Sequence, residues 1–121
     1  MSSRKARGRE TERIVADYLR PRGWPYVEPV GAGRPGADLT GTPSLAVEVK
    51  ARRALDLGAW LRQAARNADT RLPILVVRGD GQGPATVHEW AAILTLEHLT
   101  DLLREAGHGT QPNQPTEGNL E

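Results

Sequence analysis

The chain has 121 residues, no cysteine and a net charge of +1. That length suits one domain, the missing cysteine excludes disulfides and thiolate zinc sites, and no run of apolar residues approaches bilayer-spanning length. A soluble, cytoplasmic protein without a leader is therefore expected. The charge is polarised: residues 1–78 hold fifteen Lys and Arg against eight Asp and Glu, net +7, whereas residues 79–121 hold one against seven, net −6. A basic half of this kind suits a polyanion whose counterions it displaces, and equally a solvated arginine-rich surface.

In chain order, Ile14, Val15, Tyr18 and Leu19 recur at helical spacing and predict a helix over 9–22, closed by Pro21 and Gly23. Residues 24–30 read as an edge strand, because Pro25 and Pro29 forbid a central place in a sheet. A glycine-rich loop over 31–36 leads to a short strand at 38–40, a turn at 41–44 and an alternating strand at 45–50, together a hairpin. Asp56 is the expected N-cap of a helix over 57–68, with Leu57, Trp60, Leu61, Ala64, Ala65 and Ala68 on one stripe opposite Arg62 and Arg66. The apolar run 72–77 predicts a central strand buried on both faces, and 85–90 a last strand. Leu96, Leu99, Leu102, Leu103 and Ala106 mark a closing helix stopped at Gly107. Residues 1–107 then form the domain and 108–121, polar with one leucine, a disordered tail. No internal repeat is present, and with no phenylalanine, Trp24, Trp60 and Trp90 are assigned to the core.

The hairpin carries the chemistry. Residues two apart in a strand share a face, so Glu48 and Lys50 project together while Val47 and Val49 point the other way. The turn at 41–44 brings Asp38 opposite Glu48 or within one residue of it. Two carboxylates held together repel, and a hard divalent cation such as Mg²⁺ relieves that repulsion. The same residues also fit plainer roles: Glu48 and Lys50 on a solvated outer face, Asp38 opening a strand after a turn, Glu12 as a first-turn acid, Gln63 as an exposed helix residue.

The pattern of Asp38, nine residues, then Glu48-Val49-Lys50 resembles the PD-(D/E)XK motif of restriction endonucleases and archaeal Holliday-junction resolvases. The opening Gly8-Arg9-Glu10-Thr11-Glu12-Arg13 is similar to the Gly-x-x-x-Glu-Arg helix of those resolvases, Gly31-Ala32-Gly33 to the glycine loop before the motif, and Gln63 to a downstream helical glutamine. The resemblance spans residues 8 to about 68, and departs at Ala37, where the family's name motif has proline. It implies an α/β fold with a restriction-endonuclease-like αβββαβ core, a mixed central sheet, and an extra C-terminal strand and helix. It further implies a Mg²⁺-dependent DNA endonuclease, with Mn²⁺ able to substitute, acting on branched DNA in recombination and repair as a homodimer. Asp38, Glu48 and Glu12 would be metal ligands, Glu12 from the border of the first helix's apolar stripe. Lys50 would orient the attacking water or stabilise charge on the phosphate, and Gln63 would position water. Other substrates (linear duplex or single strand) and a non-cleaving DNA-binding or assembly protein are the alternatives.

Arg9, Arg13, Arg34, Arg52, Arg53, Arg62 and Arg66 are the candidate phosphate contacts. Gly31 to Gly36 spells GxGxxG, but Pro35 and a strand follow where a dinucleotide fold needs a helix. His88, His98 and His108 lie ten residues apart, a spacing that fits no ligand set.

Overall fold

The computed structural model describes residues 3–31, 34, 36–51 and 56–109. Helix α1 (Ser3–Leu19) runs into a 3₁₀ turn over 20–22 and is followed by strands β1 (Glu28–Pro29), β2 (Leu39–Thr40) and β3 (Leu45–Ala51). Helix α2 (Leu57–Ala68), strand β4 (Leu72–Arg78), a 3₁₀ segment over Pro84–Glu89, strand β5 (Ala91–Ile93) and helix α3 (Leu96–Glu105) complete the chain. The fold is mixed α/β. Its main sheet has the order β3-β4-β5, with β3 and β4 parallel and β5 antiparallel to β4.

The α1 side of this sheet holds the core: Ile14, Val15 and Ala16 close over Val27, Leu39, Val47, Val49 and Trp90. On the opposite face Ala46 meets Ala68 of α2 and Ala37. Small side chains at that contact let α2 lie close to the strands. Midway along α1, Thr11 is buried and receives a hydrogen bond from Arg78, at 3.1 Å. Arg78, also buried, donates to the Gln82 carbonyl at 2.8 Å, reaches Glu10 at 3.3 Å and lies 5.5 Å from the centre of the Trp90 ring. This cation ties the end of β4 to α1, satisfying a charge that would be costly to bury alone.

Several expected elements differ. Helix α1 starts at Ser3 and gives way at Leu19, where the Pro21 ring forces the tighter 3₁₀ geometry. The edge strand of 24–30 shrinks to two residues, since a turn closed by Val27 donating to the Trp24 carbonyl occupies its first half. In place of a regular hairpin between 38–40 and 45–50, β2 pairs antiparallel with β1, and Asp38 joins the segment to β3 through its N–H, bonded to the Val47 carbonyl at 3.0 Å, and its carboxylate, which accepts from the Val49 N–H at 2.8 Å. Strand β4 is central as expected, and Pro73 is tolerated there because β5 pairs only with Leu75 to Val77. The last strand is not 85–90: Pro84 starts a 3₁₀ segment through Glu89, and the strand follows at Ala91.

Asp56 caps α2 as expected, accepting from the Ala59 N–H at 3.2 Å. The stripe on α2 is narrower than its periodicity implies, with Ala64 and Ala68 buried but Leu57 and Ala65 exposed. Of the tryptophans, Trp90 is buried, Trp24 packs at the core margin, and Trp60 is half-buried beside Lys50. The closing helix forms and ends before Gly107 at φ +98°, but none of its residues is buried. Residues 110–121 of the expected tail lie outside the described residues.

Candidate metal and catalytic site

The site is assembled on the outer edge of β3. Gly41 sets the approach: at φ +80° a Cβ there would lie 2.2 Å from the Tyr26 carbonyl oxygen, so only glycine lets the 41–44 turn press against 26–27. Thr42 locks the same turn, its carbonyl accepting from the Leu45 N–H at 3.0 Å and its hydroxyl donating to the Leu45 carbonyl at 3.2 Å. Asp38 then straddles Glu48. Its backbone N–H bonds Val47, and its Oδ2 accepts from the Val49 N–H at 2.8 Å. One carboxylate oxygen is thereby fixed by the strand.

Glu48 is buried, and its Oε1 has no hydrogen-bond partner. Its Oε2 lies 3.8 Å from Lys50 Nζ. Lys50 in turn makes a long contact of 3.5 Å to Gln63 Oε1 and sits 5.8 Å from the centre of the Trp60 ring. A turn further along α2, the polar Asn67 side chain acts on the Glu48 carboxylate and favours its charged form. Gln63 and Asn67 are four residues apart, so they share the helix face that looks onto β3. Sequence reasoning found Gln63 and missed Asn67, although that spacing was the available signal.

Glu12 approaches from α1, half-buried. Burial, then the charges of Asp38 and Glu48, push its carboxyl up from 4.5 to about 7, against the opposing pull of Arg9 and Lys50. Burial also raises Asp38, partly offset by the Val49 hydrogen bond and Lys50. Glu48 is raised by burial and by Asp38, and lowered by Lys50 and Asn67. All three acids thus resist ionising together, the electrostatic state that a bound cation relieves. Asp38 and Glu48 are brought together; Glu12 feels both charges, yet among the described residues no three His, Cys, Asp or Glu side chains gather closely enough to grip an ion at once.

The donor set fits Mg²⁺ by its chemistry: hard oxygens, one of them buried and unsatisfied, with Lys50 alongside. Arg9 is close enough to act on Glu12, and Arg13, Arg34, Arg62 and Arg66 are exposed. Arg52 and Arg53 lie outside the described residues. Among the described residues no helix is long and apolar enough to cross a membrane. Compared with family models, curated proteins and solved structures, the chain matches none.

Proposed function

We propose that this chain is a Mg²⁺-dependent endodeoxyribonuclease of the PD-(D/E)XK type that hydrolyses phosphodiester bonds in branched DNA, Holliday junctions above all, as a cytoplasmic homodimer. The observation that carries the reading is the Glu48 Oε1 atom: buried, without a partner, beside Asp38 and Lys50. A buried carboxylate oxygen left unpaired is costly, and a cation is the partner this setting lacks. The element order α1-β1-β2-β3-α2-β4 agrees with a restriction-endonuclease-like αβββαβ core followed by an extra strand and helix.

In this reading Asp38 and Glu48 hold the ion, and Glu12 joins them directly or through water. Mg²⁺, when bound, supplies a Lewis acid that polarises the phosphodiester and activates water. Lys50 presents a preorganised positive charge to the phosphate. Gln63 and Asn67 hold Lys50 and Glu48 in place from α2. The exposed arginines meet the backbone phosphates of the DNA, which sets register and affinity.

The test is incubation with a mobile four-way junction, a linear duplex and a single strand, each in Mg²⁺, Mn²⁺, Ca²⁺ and EDTA. Symmetric nicks confined to the junction, present in Mg²⁺ or Mn²⁺ and absent in Ca²⁺ and EDTA, are the expected result. Equal cleavage in EDTA would remove the metal from the mechanism, and cleavage of linear duplex alone would remove the junction.

A further inference from the structure

The exposed leucines of α3 are the largest feature that the proposed site leaves unexplained. Leu96 is 74% exposed, and Leu99, Leu102 and Leu103 each 39–40%. They fall on one face of a strongly amphipathic helix, a pattern that ordinarily faces a core. Two residues before this helix, β5 forms the end of the sheet, with Ala91 and Ala92 exposed on both its faces and β4 on one side only. Edge strands left in water usually carry lysine, proline or a bulge that prevents pairing. Here the edge reads Ala-Ala-Ile.

We propose that the β5 edge and the α3 leucine face together form the interface with a second copy of this chain. The surface is argued from these exposed residues alone; only its meaning for cleavage rests on the nuclease reading. Other occupants fit poorly. DNA is repelled, because α3 carries Glu97, Asp101 and Glu105 against Arg104. Residues 110–121 contain a single large apolar side chain, Leu120, and cannot supply a matching face.

A second copy matches in area and symmetry. The leucines and the two alanines offer roughly 400 Å² of apolar surface, the size of a monomer's largest apolar patch, which is often functional. With the polar rim of an ordinary interface, that corresponds to roughly 700 Å² a side, close to a standard-size dimer. An antiparallel strand edge pairs with itself around a two-fold axis normal to the sheet, giving an isologous contact and the continuous order β3-β4-β5-β5-β4-β3. That axis keeps the Glu48 and Lys50 faces of both copies on the same side. Five strand spacings, about 24 Å, then separate the two β3 strands, which on the nuclease reading sets the distance between two sites on the outer strands of the shared sheet.

Because the chain has no cysteine, single cysteines report the contact directly. Ala91→Cys and Ala92→Cys are each expected to oxidise to a covalent dimer, whereas Ala65→Cys on α2 stays monomeric. In parallel, sedimentation of the full chain without DNA or metal is expected to show twice the monomer mass, falling to the monomer mass for Leu99→Glu/Leu103→Glu. Far-ultraviolet circular dichroism and thermal melts check that this variant folds. A monomeric wild type at 100 µM, equal crosslinking of the Ala65→Cys control, or a dimer that survives the double substitution would each overturn the proposal. So would unfolding of the double variant, since that would place the leucines in the chain's own core. None of these readouts involves cleavage, so they fail or succeed independently of the nuclease reading.

Discussion

On β3, two charged side chains are drawn below the surface, Glu48 at 5% and Lys50 at 17% side-chain exposure, while on α3 four leucines stand in water. The two regions depart from the usual partition of residues in opposite directions. Each departure carries a cost that the isolated chain does not offset: an unpaired carboxylate oxygen in the first, solvated apolar area in the second. They differ in how they are built. The β3 site is over-determined, with Asp38 fixed by two backbone contacts and the Glu48–Lys50 pair held from α2 by Asn67 and Gln63. The α3 face is fixed by its helix caps, and none of its residues is buried. A preorganised polar cluster suits chemistry, which needs fixed charges; an unsupported apolar face suits association, which supplies the missing support.

Substitutions can break this contrast at either end. The largest expected effect is on cleavage: Asp38→Asn and Lys50→Ala should each lower the rate by about a thousandfold, ~4 kcal/mol in the barrier, while the thermal transition survives. Asp38→Asn keeps an acceptor for the Val49 N–H and removes the charge, so in EDTA it should bind junction DNA at least as tightly as wild type. Loss of binding, cleavage and fold together would show that these residues are structural. Next in size is Gly41→Ala. The 2.2 Å approach to Tyr26 and the positive φ leave no room for the methyl group, and a loss of about 3 kcal/mol is expected in denaturant unfolding. An unchanged midpoint would mean that the turn is not what seats Asp38.

The acids sharpen the comparison through pH. Glu12 is raised from 4.5 to about 7 in the folded chain. Between these values the folded state keeps a proton that the unfolded state has released, so stability falls as pH rises from 4.5 to 7 and is level above. Glu12→Gln should flatten this slope, leaving only the part that Asp38 and Glu48 contribute, and raise the thermal midpoint at pH 8 but not at pH 4. A parallel pair of pH profiles would count against the crowded carboxylates. The smallest effect belongs to α3: measured where the chain is monomeric, Leu99→Glu/Leu103→Glu should change stability by less than about 0.5 kcal/mol. A large loss would erase the contrast between the two regions.

Much of the site was legible because it is local. Strand alternation puts Glu48 and Lys50 on one face and Val47 and Val49 on the other whatever the rest of the fold does, and the observed burial agrees. The Asp56 cap, the bounds of α2 and the central place of β4 likewise follow from composition and period. Residues 85–90 were misread because Ala85 and Val87 alternate with Thr86 and His88 as in a strand, while Pro84 and the Gly83–Thr86 contacts favour a 3₁₀ segment.

What the sequence determined by itself was therefore what spacing along one element decides: the shared face of Glu48 and Lys50, the cap of α2, the apolar stripe of α3. Tertiary structure decided the rest, since it depends on residues far apart in the chain. Arg78 meets Thr11 across 67 positions, β2 turns to β1 for its partner, Asn67 arrives at Glu48 from another element, and Glu12 comes under the charges of Asp38 and Glu48. The periodicity of α3 showed that its leucines need a partner. Only the fold showed that they stay outside the core: among the described residues β5 is the last strand of its sheet, and no residue of α3 is buried.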